Sequence, residues 1–205
     1  MLASIGLIAL TMLIASPLAR RMDQRAGWVL ALAPLVAFAY FMTQMPVVAS
    51  GGVIMSTLAW VPALGVELAF RLDGLSLLFA LLITGIGTLI VLYAGAYLAD
   101  HHHLGRFYAY LLGFMAAMLG LVLADDLIAM FVFWELMALG STLVIWSAGT
   151  ASAYRASMRY LMVHLLGGVV LMAGIAGHVA GTGSTAFVRI ALDSPAHWLI
   201  LAGFL

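Results

Sequence analysis

Apolar runs of about 20 residues recur along this chain, at about 2–18, 27–46, 74–97, 107–124, 127–147 and 155–180, with short polar breaks between them. A bilayer's hydrocarbon core is about 30 Å thick and takes about 20 apolar residues of helix to cross. Inside it every backbone N–H and C=O must be bonded within the segment, which leaves the helix as the natural form for such runs. Hydrophobic residues make up 66% of the 205 and charged ones 8%, more apolar surface than a soluble domain of this length can bury. The runs therefore predict an all-α polytopic membrane protein with about six complete transmembrane helices and the start of a seventh near Ala196. That last run is still apolar at Leu205, where the chain stops, as expected of a fragment of a longer protein.

A secretory signal carries its basic residues before the apolar run. Here Arg20 and Arg21 follow it, so residues 2–18 read as a retained first span with the N-terminus outside. Arginine placement supports this topology. The loops predicted to face the cytoplasm hold or border Arg20, Arg21, Arg25, Arg106, Arg155 and Arg159, whereas the outer loops hold Arg71 and Arg189. The longest break, roughly 47–72, alternates loosely and has the turn signal Pro62-Ala63-Leu64-Gly65 in its middle. It predicts a short extracytoplasmic β-hairpin between spans two and three. Two regions follow: residues 1–72, with two helices and the hairpin, and residues 73–205, with the remaining spans.

Several function classes are excluded. The net charge is zero with no basic patch, so nucleic acid is not a partner. There are no cysteines and hence no thiolate chemistry, and no glycine-rich loop outside the spans suggests phosphate binding. No cofactor is implied. The run Asp100-His101-His102-His103 has metal-binding residue types, but adjacent residues on one short loop rarely converge on an ion, so a solvated loop and no metal site are expected.

The polar residues within the spans carry the functional signal. In FVFWELMALGSTLVIW, residues 131–146, Glu135 stands about nine residues into span five, about 13 Å deep at 1.5 Å per residue. A carboxylate there costs about 2.5 kcal/mol or more, and such residues are functional by default. The candidate role is proton carrier; the plain alternative is a structural hydrogen bond to a neighbouring helix. His164 lies at similar depth on span six and could share one polar layer with Glu135. An imidazole passes protons through its two nitrogens near neutral pH, which makes His164 a candidate relay. Asp73 is placed to cap span three, and Asp125 or Asp126 to cap span five, with Asp126 as a candidate for the outer ion entrance. His178 and His197 fall near the membrane interface. Small residues on span four (Gly113, Ala116, Ala117, Gly120) and on or just after span six (Gly167, Gly168, Gly174, Gly177, Gly181) predict close helix packing.

LDGLSLLFALLITGIGTLIVLYAGAYL, followed by GRFYAYLLGFMAAMLGLVLADDLIAMFVFWELMALGSTLVIW, resembles the antiporter-like membrane subunits. These are the large subunits of Mrp-type multisubunit Na+/H+ antiporters and the proton-pumping membrane-arm subunits of respiratory complex I. DGLS, GRFYAYL, LADD and FWEL in this order carry the resemblance, from about Asp73 to the end of the chain. It implies a fourteen-helix core with inverted repeats, and half-channels joined by charged and polar residues at the midplane. Glu135 matches the family's essential glutamate on helix five, whose lysine partner on helix seven would lie beyond Leu205. Complex I members often carry an Arg and an Asp in the helix-six stretch; MRYLMVHLLGGVV has Leu165 and Gly168 at roughly those positions. That departure favours an antiporter protein over a complex I one, and this stretch resembles the D type more than the A type. The implied function is exchange of H+ against Na+ or another monovalent cation in the bacterial inner membrane, with other subunits and the lipid bilayer as partners. The alternatives are a proton-pumping subunit of NADH-quinone oxidoreductase or a related hydrogenase, and a non-transporting scaffold subunit.

Overall fold

A computed structural model describes residues 1–61, 66–98, 104–187 and 194–205. The turn signal Pro62-Ala63-Leu64-Gly65, the run Asp100-His101-His102-His103 and Arg189 lie outside them. The described residues form eight α-helices and one two-stranded sheet: α1 Leu2–Met22, α2 Ala26–Leu30, α3 Leu32–Ala49, β1 Ile54–Val61, β2 Val66–Leu72, α4 Gly74–Tyr97, α5 Leu104–Leu123, α6 Leu127–Trp146, α7 Ala151–Thr182 and α8 Pro195–Phe204. Five helical stretches are long and apolar enough to cross a membrane: Leu2–Ala49 and the four helices α4, α5, α6 and α7. The chain is therefore a multi-pass membrane protein.

The first of these stretches is not one straight rod. A three-residue 3-10 turn, Asp23–Arg25, separates α1 from α2, and Asp23 takes a positive φ of 47°. A straight 48-residue helix would put Met1 and Tyr40 more than about 55 Å apart at 1.5 Å per residue. Instead the Met1 amino group donates to the Tyr40 hydroxyl at 3.0 Å, so α3 returns alongside α1. Arg20, Arg21, Asp23 and Arg25 interrupt the apolar sequence, and the chain reverses at that cluster.

The hairpin forms as the alternation predicts. Its strands are antiparallel, with Ile54 opposite Leu72 and Leu58 opposite Leu68. Along β2, Phe70 and Leu72 are buried while Arg71 between them is exposed, the period-2 pattern of a strand with one covered face. That covered face lies over the α5–α6 connection. The Asp125 amide donates to the Ala69 carbonyl at 2.8 Å, and the Phe70 and Phe133 rings meet edge to face at 5.9 Å. The Leu127 amide in turn donates to the Thr185 carbonyl at 2.9 Å. The hairpin, the α5–α6 connection and the end of α7 thus gather at one end of the bundle.

Small residues set the helix spacing, as their clustering predicts. On α5, a Cβ at Gly113 would lie 2.7 Å from the Met12 sulfur of α1, and the Phe133 ring of α6 fills the space at Gly120. Gly140 of α6 sits against the Phe114 backbone of α5, where a Cβ would be 3.0 Å from Cα. Against α4, the Tyr108 side chain of α5 is wholly buried between Gly95 and Gly27, and its hydroxyl has no hydrogen-bond partner among the described residues. A buried hydroxyl without a partner carries an uncompensated desolvation cost. Tyr108→Phe is therefore expected to leave thermal stability unchanged or raise it by about 1 kcal/mol, as read from the unfolding midpoint in detergent or nanodiscs.

Candidate functional site

Most polar side chains within the helices bond their own backbone. The Thr84, Thr88, Ser141 and Thr142 hydroxyls each donate to the carbonyl four residues earlier, at 2.6–2.9 Å. This local bond satisfies a hydroxyl in an apolar surround. Against that background, five buried side-chain atoms among the described residues have no partner, and three of them fall on the α6–α7 seam: Trp134 Nε1, Glu135 Oε1 and His164 Nε2. The other two are Tyr108 Oη and His178 Nε2.

Glu135 is the ninth residue of α6, where no turn of that helix supplies another acid. Its carboxyl crosses to α7 and rests on Gly168: a Cβ added there would collide with Oε1 and lie 3.1 Å from Cδ. His164 is one helical turn from Gly168, toward the Arg155 and Arg159 end of α7. Its ring stacks between Trp134, at 5.2 Å between centroids and 25°, and Tyr160, at 5.9 Å and 27°. Trp134 also meets Phe204 of α8 edge to face at 5.0 Å. A cavity of about 390 Å³ opens beside this stack, with Trp134, Arg159, Tyr160, His164, Gly167 and Phe204 among its walls. The structure brings Glu135 and His164 to the same seam. No hydrogen bond joins them among the described residues; Glu135 is level with Gly168, and His164 lies one turn away.

Asp126 stands at the opposite end of α6 from Ser147, as its N-cap. Its Oδ1 accepts from the amides of Ile128 at 2.8 Å and Ala129 at 3.1 Å, and the residue is buried. Of the two aspartates considered for this cap, Asp126 makes it, while Asp125 lines a cavity of about 460 Å³ with Arg71, Asp73, Ser76, Phe79 and Phe187. Asp73 caps α4 through a reciprocal arrangement in which its Oδ1 accepts from the Ser76 amide and the Ser76 hydroxyl accepts from the Asp73 amide. That backbone bond, aided by Arg71 at 3.2 Å, holds the Asp73 carboxyl below the usual carboxylate range. Because the folded value is the lower one, the cap is fully formed above about pH 4 and lost only as acid titrates it below that.

Two features give little or no sign in the sequence. His178, expected near the membrane interface, is only 4% exposed, and its Nε2 has no partner among the described residues. It lies on the α7 stripe of His164, Gly168, Leu171 and Ile175, so the i, i+4, i+7, i+11, i+14 spacing carried the signal. Trp134 gave none: an aromatic in an apolar run reads as lipid-facing until its neighbours are known.

Two family models match the chain. Residues 60–108 match the NADH-ubiquinone oxidoreductase (complex I) chain 5 N-terminus, and residues 124–205 match the transmembrane model shared by NADH:quinone oxidoreductase and the Mrp antiporter. The A-type protein of the Na+/H+ antiporter of Alkalihalophilus pseudofirmus is 47% identical over 151 residues, which are 72% of this chain and 19% of that protein. The A1-type protein of the Na+/H+ antiporter of Staphylococcus haemolyticus is 46% identical over 150 residues, again 72% of this chain and 19% of the relative. The chain thus spans about a fifth of the length of the curated relatives it matches. Among solved structures, the Mrp complex of a Dietzia species superposes with a TM-score of 0.81 at 34% identity, over 93% of this chain and 20% of that one. Respiratory complex I of Thermus thermophilus with bound NADH gives 0.76 at 25% identity, over 98% of this chain and 42% of that one. Both antiporter relatives are of the A type, against the D-type leaning of MRYLMVHLLGGVV.

Proposed function

This chain belongs to the antiporter-like family of membrane subunits, and we propose that it forms the first proton-carrying portion of an A-like subunit in a multisubunit monovalent cation/proton antiporter. One observation carries the reading: the lone acid of the apolar helix α6 projects into the seam with α7 a buried carboxyl oxygen that has no hydrogen-bond partner among the described residues. A scaffold would gain by replacing it with an apolar side chain of similar size, since a buried polar atom left unbonded is destabilising. A carrier needs it.

Glu135 takes up a proton on one carboxyl oxygen and releases it from there. His164, with its unbonded Nε2 beside the cavity that Arg159 and Tyr160 also line, relays protons between Glu135 and that cavity. Asp126 and its neighbour Asp125 stand at the far end of α6 as the acids nearest an outer entrance. H+ moves down its gradient and Na+ or another monovalent cation moves against it. The reaction makes or breaks no bond other than those to the carried proton.

The reversal at Asp23 supports reading the first 48-residue helical stretch as two crossings, which with α4, α5, α6 and α7 gives six long crossings among the described residues. Arg20, Arg21, Arg25, Arg106, Arg155 and Arg159 then border one side, taken as cytoplasmic, which puts the N-terminus and the hairpin outside the bacterial inner membrane. The partners are the lipid bilayer and further subunits of the complex, as the Mrp and complex I assemblies suggest.

The second reading, a proton-pumping subunit of a redox complex, is favoured by the complex I family model over residues 60–108. Exchange triggered by adding cation to inverted vesicles, with no electron donor present, separates the two. A Glu135→Gln complex that still exchanges at the wild-type rate removes both in favour of the scaffold.

A further inference from the structure

The glycines of α7 serve two different purposes. Gly167, Gly174 and Gly177 face α8: a Cβ at each would lie 3.0 Å from the Gly203 carbonyl oxygen, 2.6 Å from the Ile200 nitrogen and 3.3 Å from the Ala196 Cβ. Their smallness is explained by helix–helix approach. Gly168 is different. It is buried, and all three nearest atoms to its added Cβ belong to one side chain, the Glu135 carboxyl. Oε1, which has no hydrogen-bond partner among the described residues, occupies the direction in which any other residue would carry its Cβ.

We propose that Gly168 is the positioning residue for Glu135: its missing side chain is the space in which the carboxyl docks on α7. The proposal rests on Glu135 being the proton carrier. What meets the carboxyl there is a glycine Cα hydrogen, at most a weak C–H···O donor. A serine, asparagine or charged group at this position would hold the carboxyl with a stronger bond and slow its departure; an alanine would exclude it. Glycine does neither, so the acid is placed without being bound. An added methyl displaces the carboxyl by about one C–C bond, and a misplacement of about 1 Å can cost on the order of 100-fold in rate.

The test is a two-residue cycle in the complete complex: wild type, Gly168→Ala, Glu135→Asp and the double variant. Cation-induced ΔpH collapse is read in inverted vesicles at matched amounts of assembled complex. Gly168→Ala is expected to lower exchange on the order of 100-fold. Aspartate is one methylene shorter and retracts the carboxyl from the methyl, so the double variant is expected to exchange about tenfold faster than Gly168→Ala alone, a coupling that distant, independent sites do not show. Gly168→Ala exchanging at the wild-type rate overturns the proposal. So does a double variant whose defect is the product of the two single ones. If Gly168→Ala lowers assembly instead, the cycle is read on assembly: recovery in the double variant supports the contact, and no recovery overturns it. An active Glu135→Gln complex sinks the carrier reading itself; an inactive one beside a fully active Gly168→Ala sinks the positioning role alone.

Discussion

Glu135→Gln in the complete complex is expected to abolish cation-driven ΔpH collapse in inverted vesicles, a loss on the order of 100-fold or more, while the complex still assembles. The amide matches the carboxyl in size and fits the same space over Gly168, so packing against α7 is kept. Exchanging one partnerless buried polar group for another moves stability by no more than about 1 kcal/mol. What is lost is the capacity to bind and release a proton. Blotting fixes the amount of protein, and native electrophoresis fixes the assembly. A wild-type exchange rate would mean that Glu135 is a structural group, and the assignment of α6 as the carrier helix would fall with it.

The span pattern was legible because membrane helices are written in length and hydropathy, and both are local. The reversal at Asp23 was legible for the same reason, through the polar cluster between two apolar runs. The hairpin was foreseen from alternation, but not its seat over Ala124 and Asp125, which depends on backbone bonds between residues far apart in sequence. Glu135 announced itself by its cost in hydrocarbon. Its counterpart Gly168 could not, because the sequence shows a run of small residues on α7 and does not say which faces α8 and which faces α6. His164 was matched to Glu135 by depth alone; rotation about α7 puts Gly168 opposite the carboxyl and His164 against Trp134. The choice between Asp125 and Asp126 as cap also needed backbone geometry, since adjacent acids differ only in which one the helix start selects.

The seam depends on α8, and Gly203→Val is expected to dismantle it. A Cβ at Gly203 would lie 2.5 Å from the Leu171 nitrogen, 2.6 Å from its Cα and 2.6 Å from its Cβ, so mostly backbone is in the way and no rotamer change relieves the clash. Valine adds two further methyls to that first carbon. Overpacking a core costs about 1–3 kcal/mol where side chains can adjust, and more is expected where two helix backbones are in contact. In lipid the helices are held by close van der Waals contact rather than by exclusion from water, so separating α7 from α8 removes the attraction itself. The consequence reaches the candidate site: Phe204, next to Gly203, is the edge-to-face partner of Trp134, whose other neighbour is His164. Gly203→Val should therefore cut assembled complex severalfold on native electrophoresis and abolish exchange in what remains, with Gly203→Ala intermediate. Gly6→Val is the control, since a Cβ there meets nothing within 4 Å. If Gly203→Val assembles and exchanges like the wild type, the glycine contact between α7 and α8 is not part of the working complex, and the stack of Phe204, Trp134 and His164 loses its support from α8.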